Sequence, residues 1–472
     1  MQPKSAGLSN YELRFPSEGS QASEDSFELG EERRVRRKVD VVLLPILALA
    51  FFALQLDRGN MSAALTSTIT QDLKITTNHI NIGQQLLSAG ICITEIPSNM
   101  ALQRFGPVRW LSFQILAWGL VATLQAFVKG YPAFLATRLL LGLLEGGFIP
   151  GALFYLSSWY KKNETTLRVS LFFFGQMFSA ATSSLISAGV LRLSGRGGLS
   201  GWQWIFLIEG LVTLFIAIVF ALFSPSDIGN GQPLISRKRW SYFTERESYV
   251  IRTRMQLYDD GNTAPGKVKI TVRDVWNTVR RLHVLQHCLF TLVSMSALSG
   301  LLNYTPSIIK SFGFDAVTAN SLASVPIFSA MLLILPMSWL SDCIKYRGLL
   351  IFIPTTWNVI GYACIRCMAV SSTKWHKYAV FASASASYAN MHILNVSWLS
   401  VNCKSPQERS IAMALIIMAA NASGISGSQI FRTSDQPLYR HGLTAICALS
   451  GTSWVLLAVL NLYYALKNAR RS

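Results

Sequence analysis

Apolar residues run along this chain in long blocks separated by short polar turns. Blocks long enough to cross about 30 Å of hydrocarbon fall near residues 41–62, 80–101, 110–129, 132–153, 167–190 and 202–223. Six more follow near 285–308, 319–340, 349–369, 377–399, 411–430 and 443–466. The pattern predicts an all-α membrane protein: twelve transmembrane helices in two six-helix bundles, 41–223 and 285–466, joined by a polar central loop over 224–284. A polar tail over 1–40 precedes them and a short one over 467–472 follows. The leading tail is too long and too acidic for a signal peptide, so it is expected to be disordered and the first block to persist as a span.

Composition agrees with the pattern. Of 472 residues, 51% are hydrophobic and 14% charged, with a mean hydropathy of +0.35, whereas a soluble domain carries roughly 25% charged residues. A net charge of +18 would, in a soluble chain, point to nucleic acid. Its distribution points elsewhere. With the N-terminus in the cytoplasm, 28 Lys and Arg fall on cytoplasmic flanks against nine in outer loops, which predicts cytoplasmic termini and an even number of spans. The expected macromolecular surroundings are a lipid bilayer, with no nucleic acid.

The seven cysteines form no disulfide framework, and the pair Cys364 and Cys367 lies in an apolar block without a second pair. His283 and His287 have i, i+4 spacing but no third ligand nearby. No metal or cofactor is called for, and no nucleophile and base set suggests an enzyme. The equal halves suggest an internal repeat, as in transporters that rock about a midplane site. Two turns stand at equivalent places: Gln103-Arg104-Phe105-Gly106-Pro107-Val108-Arg109 after the second block and Asp342-Cys343-Ile344-Lys345-Tyr346-Arg347 after the eighth. Arg104, Arg109, Asp342 and Arg347 could bond helix ends and gate one side, or could simply anchor the topology.

An ionised group at a helix centre costs roughly 2.5–3.5 kcal/mol on insertion scales, so the few present are functional candidates. They are Asp57 and Arg58 in the first block, Glu95 in the second, Arg138 and Glu145 in the fourth, Glu209 in the sixth and Arg366 in the ninth. Arg138 and Glu145 lie about two turns apart on one helix face, among Gly142, Gly146, Gly147, Pro150 and Gly151, which allow close approach and local opening of the backbone. Asp57 and Arg58 are neighbours about 100° apart and cannot pair with each other. Asp57 or Arg58 is therefore expected to meet Glu145 or Arg138 across the interface of the first and fourth spans, leaving a cation for an anionic solute and a carboxylate able to titrate. A permanent ion pair holding helices together is the structural alternative. Glu95 and Glu209 read as structural, and Arg366 as a snorkelling side chain. In the second half His392, Asn395, Asn402 and Asn421 could line a solute path.

The residues Asp57-Arg58-Gly59-Asn60, Glu95-Ile96-Pro97-Ser98-Asn99 with Arg104 to Trp110, the segment Arg138 to Gly151, and Gly201-Trp202-Gln203-Trp204 to Glu209-Gly210 resemble the fungal allantoate-permease branch of the anion:cation symporters, a group of the major facilitator superfamily. The resemblance spans about residues 33–466 and is specific in the first half. It implies proton-coupled uptake of a small carboxylate or vitamin-like anion at the plasma membrane, relatives handling allantoate, nicotinate, pantothenate or biotin. It further implies Asp57 and Glu145 as proton carriers and Arg58 and Arg138 near the solute anion, with Asn60 beside them. In the second half Asn402, Arg409, Asn421 and Gly424 match. Gln103 departs from the superfamily's usual aspartate, which Asp342 retains.

The chain is thus expected to be a monomeric proton symporter for a small organic anion. An exporter of a secondary metabolite working as an antiporter on the same fold, and a nutrient sensor that binds solute without moving it, are the competing readings.

Overall fold

The computed structural model describes residues 29–160, 162–226, 231–233, 241–261, 272–344, 347–368, 371–387, 389–403, 405–436 and 439–469. The acidic run at Glu24, Asp25 and Glu28, the signature residues Lys345 and Tyr346, the side chain of Asp342 and the basic residues Lys404, Arg470 and Arg471 lie outside what is described.

Helices account for nearly all of it. The first half comprises α1 (Leu29–Ala64), a short α2 (Ile69–Asp72), α3 (Thr77–Phe105), α4 (Pro107–Leu124), α5 (Tyr131–Glu145), α6 (Phe148–Ser157), α7 (Lys162–Leu191) and α8 (Gly201–Phe223). The central segment carries α9 (Glu245–Gly261) and α10 (Val272–Val279). The second half comprises α11 (Leu282–Ser311), α12 (Ala316–Ile344), α13 (Arg347–Cys367), α14 (Lys374–Ala386), α15 (Ala389–Asn402), α16 (Pro406–Gly427) and α17 (Arg440–Ala469). Nine helices among the described residues are long and apolar enough to cross a membrane. The blocks expected at 80–101, 377–399 and 411–430 carry helix as well: α3, the pair α14 and α15, and α16, which ends at Gly427. Helix α3 falls short on hydropathy, with polar Asn81, Gln84, Gln85 and Glu95 along it, whereas α14 and α15, of 13 and 14 residues, and the apolar part of α16, Ile411–Gly427, fall short on length.

One difference from the sequence reading concerns the start. Helix α1 begins at Leu29, well inside the expected tail. Acidic Glu31 and Glu32 in its first turn suit the helix dipole, and its charged side chains have partners. Lys38 Nζ donates to Glu247 Oε2 at 2.6 Å, Arg36 Nη1 to Glu164 Oε1 at 3.0 Å, and Arg168 Nη2 to Asp40 Oδ2 at 2.7 Å. Arg254 of α9 is buried and donates to Glu164 Oε2 at 2.7 Å. The ion pairs fasten α9 to the first half.

Each half has its own apolar core. One is built on Leu47, Phe51, Leu111, Trp118 and Phe148, the other on Phe290, Tyr304, Tyr362 and Phe381. The halves meet where α12 packs on α7, α3 on α16 and α1 on α11. Hydrogen bonds between them gather at the end where α3 starts. Asn81 Nδ2 donates to Phe431 O at 2.7 Å and Tyr304 donates its hydroxyl to Asn81 Oδ1. Gln429 Nε2 donates to Gln85 Oε1 at 3.0 Å, Gln436 Nε2 to Thr77 Oγ1 at 3.0 Å, and Lys310 Nζ to Thr66 O at 2.6 Å. That end of the molecule is closed.

Candidate solute and proton site

The fourth apolar block carries Gly146-Gly147 directly after Glu145, and there the helix breaks. Gly147 takes φ +80, a left-handed conformation that favours glycine, so α5 ends at Glu145 and α6 restarts at Phe148. The break frees backbone carbonyls in a dry interior, where an unsatisfied group is costly. Gln114 of α4 answers them, its Nε2 donating to Leu144 O at 3.0 Å and Gly146 O at 2.9 Å. On the other side α3 lies against α5 so closely that a side chain at Gly142 would strike the backbone of Leu87. Glu145 is thereby held at the end of a helix whose position is fixed from both sides.

Facing it is α1. Arg58 Nε donates to Glu145 Oε2 at 2.8 Å. The two partners differ in surroundings: the Glu145 side chain is fully buried, while that of Arg58 keeps 26% of its surface. Asp57, one residue earlier, turns away into the half, where its Oδ2 accepts from Thr213 Oγ1 of α8 at 3.1 Å, with Trp118 and Asn60 around it. Arg138 sits one side of this group, buried, within electrostatic reach of Glu145 and Asp57. Its guanidinium lies 5.5 Å from the ring centres of both Phe134 and Phe206, a stacked setting that arginine tolerates better than lysine. Its Nε and Nη2 have no hydrogen-bond partner among the described residues, and the same holds for Asp57 Oδ1, Asn60 Oδ1 and Glu145 Oε1. Glu209 is buried on α8, where Ser187 Oγ donates to its Oε1 at 3.0 Å, and it lies in reach of Asp57.

The structure thus brings together Asp57, Arg58, Asn60, Arg138, Glu145 and Glu209. Glu95 is half-buried on α3 at the interface of the halves, where Asn421 Nδ2 of α16 approaches its Oε2 at 3.5 Å. His392 stands apart. It lies on α15, which packs with α11, α12, α13 and α16, and its Nδ1 is buried without a partner among the described residues. Asn395 is committed to packing, its Oδ1 accepting from His287 Nδ1 at 2.6 Å and its Nδ2 donating to Thr291 Oγ1 at 2.9 Å. Arg104, Arg109 and Arg409 are exposed at helix ends, and Arg347 Nη1 donates to Ser397 O at 3.0 Å. Arg366 is exposed and donates to Thr444 Oγ1 at 2.8 Å. Sequence reading missed Gln114, Thr213 and Ser187. A lone glutamine in the apolar run of α4 is the one signal that could have flagged the first; threonine and serine are too common in spans to flag the others.

Two helical halves meeting along a central plane, with ionised groups buried beside it, define a membrane transporter. The Major Facilitator Superfamily model matches residues 47–428, and the chain belongs to that family. An uncharacterized transporter of Schizosaccharomyces pombe is 27% identical over 440 residues, covering 93% of this chain and 84% of the relative. The major facilitator-type transporter hxnP of Emericella nidulans is 26% identical over 445 residues, covering 93% and 87%. Among solved structures, the D-xylose-proton symporter superposes with a TM-score of 0.66 at 12% identity, covering 88% of this chain and 97% of that one. The nucleoside transporter NupG reaches 0.64 at 12% identity, covering 89% and 99%. These likenesses establish the fold.

Proposed function

We propose that the chain is a proton-coupled symporter that takes up a small organic anion by alternating access, through twelve spans with both termini in the cytoplasm of a plasma membrane. The observation that carries this reading is the Arg58–Glu145 pair, which spans α1 and α5 with its cation partly open and its carboxylate dry. A solute carboxylate that reaches Arg58 competes with Glu145 for the guanidinium. Deprived of its cation in a dry site, Glu145 takes a proton, because an isolated buried carboxylate is far costlier than a neutral acid. Solute and proton then enter the cycle together. Arg138 supplies a second positive charge with free donors, and Asp57 a second carboxylate. The closed end carries the turns poor in Lys and Arg, so the positive-inside rule makes it the outer end and the conformation inward-facing.

Uptake of labelled carboxylates by cells expressing the chain, at two external pH values, tests this. Arg58→Ala should lose uptake. Glu145→Gln should lose proton-driven accumulation while retaining solute exchange. A fully active Glu145→Gln would remove that residue from coupling, and solute loss in place of accumulation would favour the exporter.

A further inference from the structure

The contacts between α3 and the second half descend in order from the closed end. Asn81 meets Phe431, Gln85 meets Gln429, and a side chain at Gly424 would come within 2.7 Å of Ser88 Oγ. Furthest from the closed end, Asn421 Nδ2 approaches Glu95 Oε2 at 3.5 Å. Ser88 and Glu95 are about two turns apart, so Glu95 lies on the face of α3 turned toward the second half. It is the sole acidic residue of that helix. Its turn is also pressed against the broken fourth block. A side chain at Gly146 would strike Thr94, and one at Gly147 would strike Ser98 and come within 3.2 Å of Glu95 O. Glu95 is thus held between the break that follows Glu145 and a helix of the other half.

Its surroundings differ from those of Glu145. The Glu145 side chain is fully buried, whereas Glu95 is half-buried, and Arg58, which keeps part of its own surface, lies within electrostatic reach of both. A solute carboxylate that takes the open side of Arg58 therefore arrives beside Glu95. A carboxylate accepts hydrogen bonds and donates none, so what stands against it must be neutral or a donor. The charges of the cluster point the same way. Arg58 and Arg138 stand against Asp57, Glu145, Glu209 and Glu95. A monoanion that enters with one proton leaves that sum as it was. A dianion that enters with one proton adds a negative charge to a cluster already short of cations.

We propose that Glu95 is a specificity-determining residue of the solute site: it admits a monoanion, whose carboxylate takes Arg58, and turns away a dianion, whose second carboxylate would face a like charge. In a partly desolvated site that repulsion weakens binding by on the order of tenfold. Asn421 serves solutes of either kind, since its amide both donates and accepts. The inference rests on the symport reading above and adds to it the residue that reads the solute's charge.

The full chain in mild detergent is titrated with acids matched in shape that differ by one charge, succinamate with succinate and 4-carbamoylbenzoate with terephthalate. Apparent affinity is read from the ligand-dependent rise in melting temperature. The wild-type chain should prefer the monoanion of a pair by on the order of tenfold. Glu95→Gln keeps an oxygen for Asn421 and removes the charge, so it should erase that preference by strengthening the dianion, with the ligand-free melting temperature little changed. Glu95→Asp should retain the preference. Equal affinities in the wild-type chain, a preference that survives Glu95→Gln, or an equal change in both members of a pair would overturn the assignment while leaving the anion site standing. Binding of neither member of either pair would overturn the anion site and the assignment with it.

Discussion

The two halves bury polar groups in different ways. In the first, ionisable side chains sit inside the membrane region: Asp57, Arg138, Glu145 and Glu209, with Arg58 reaching across to Glu145. In the second, several buried polar groups of the middle region bond one another without a carboxylate or guanidinium among them, while His392 Nδ1 has no partner among the described residues. His287 bridges Asn395 at 2.6 Å and Tyr464 at 3.2 Å, and Asn358 bridges Ser387 at 3.0 Å and Ser450 at 2.6 Å. Ion pairs in a dry site are poor sources of stability and can switch when a competitor arrives, whereas closed neutral networks fix one packing. Under the function proposed above, the chemistry lies in the first half and the second serves as scaffold.

The sharpest way to break that contrast is at Arg58. Arg58→Ala leaves Glu145 buried without its cation and should cost about 3 kcal/mol of stability together with all uptake, read by thermal melting and transport. Pairing it with Glu145→Leu should restore most of the stability and none of the transport; restored transport would make the pair structural. Asn395→Leu, in the second half, strands His287 and Thr291 and should cost about 1–3 kcal/mol while transport persists in whatever protein remains folded. If its uptake per folded molecule fell as far as that of Arg58→Ala, the division of labour would be wrong.

Between the halves, Asn81→Ala removes the bonds to Phe431 and Tyr304. It should shift the population toward opening at that end by on the order of tenfold, since about 1.4 kcal/mol is a factor of ten. Labelling of a cysteine placed at the closed end reads this. The smallest effect lies at the rim of the first half, where Asp72 accepts from Ser200 Oγ at 2.6 Å, Trp202 Nε1 at 2.7 Å and Thr68 Oγ1 at 2.9 Å. Burial acts to raise its carboxyl, but these donors outweigh it and hold the group below the ordinary carboxylate range. A depressed carboxyl contributes stability above its unfolded value, about pH 4, and loses it as pH falls through the lower folded value. Melting temperature should thus be flat from pH 7 to about 4 in this respect and decline below. Asp72→Asn should make the decline shallower.

Much of the architecture was legible without coordinates. Apolar blocks are long because the bilayer is thick and every backbone group in it must bond internally, so seven of the twelve expected blocks lie within a single helix, and three more, 110–129, 349–369 and 411–430, extend a few residues past the end of theirs. The other two, the fourth and the tenth, are each divided between two helices, the fourth at Gly146-Gly147. The candidate charges were legible for the same reason: lipid makes each one costly enough to stand out. Their partners were not. Seven residues on one helix place Arg138 and Glu145 on a common face, but only the crossing of α1 over α5 decides that Arg58, and not Asp57, meets Glu145. Nor does the sequence reveal that α1 starts at Leu29, since the partners of its first turn, Arg246 for Glu31 and Arg254 for Glu32, come from far along the chain.

The sequence by itself determined what must hold along one helix or across one bilayer: span length, the asymmetry of Lys and Arg, and which ionised groups are too costly to be incidental. Only the tertiary structure decided what those groups touch. Hydrophobic length is a one-dimensional property of the chain, whereas the Arg58–Glu145 contact, the closure through Asn81 and Tyr304, and the approach of Asn421 to Glu95 depend on how helices distant in sequence cross.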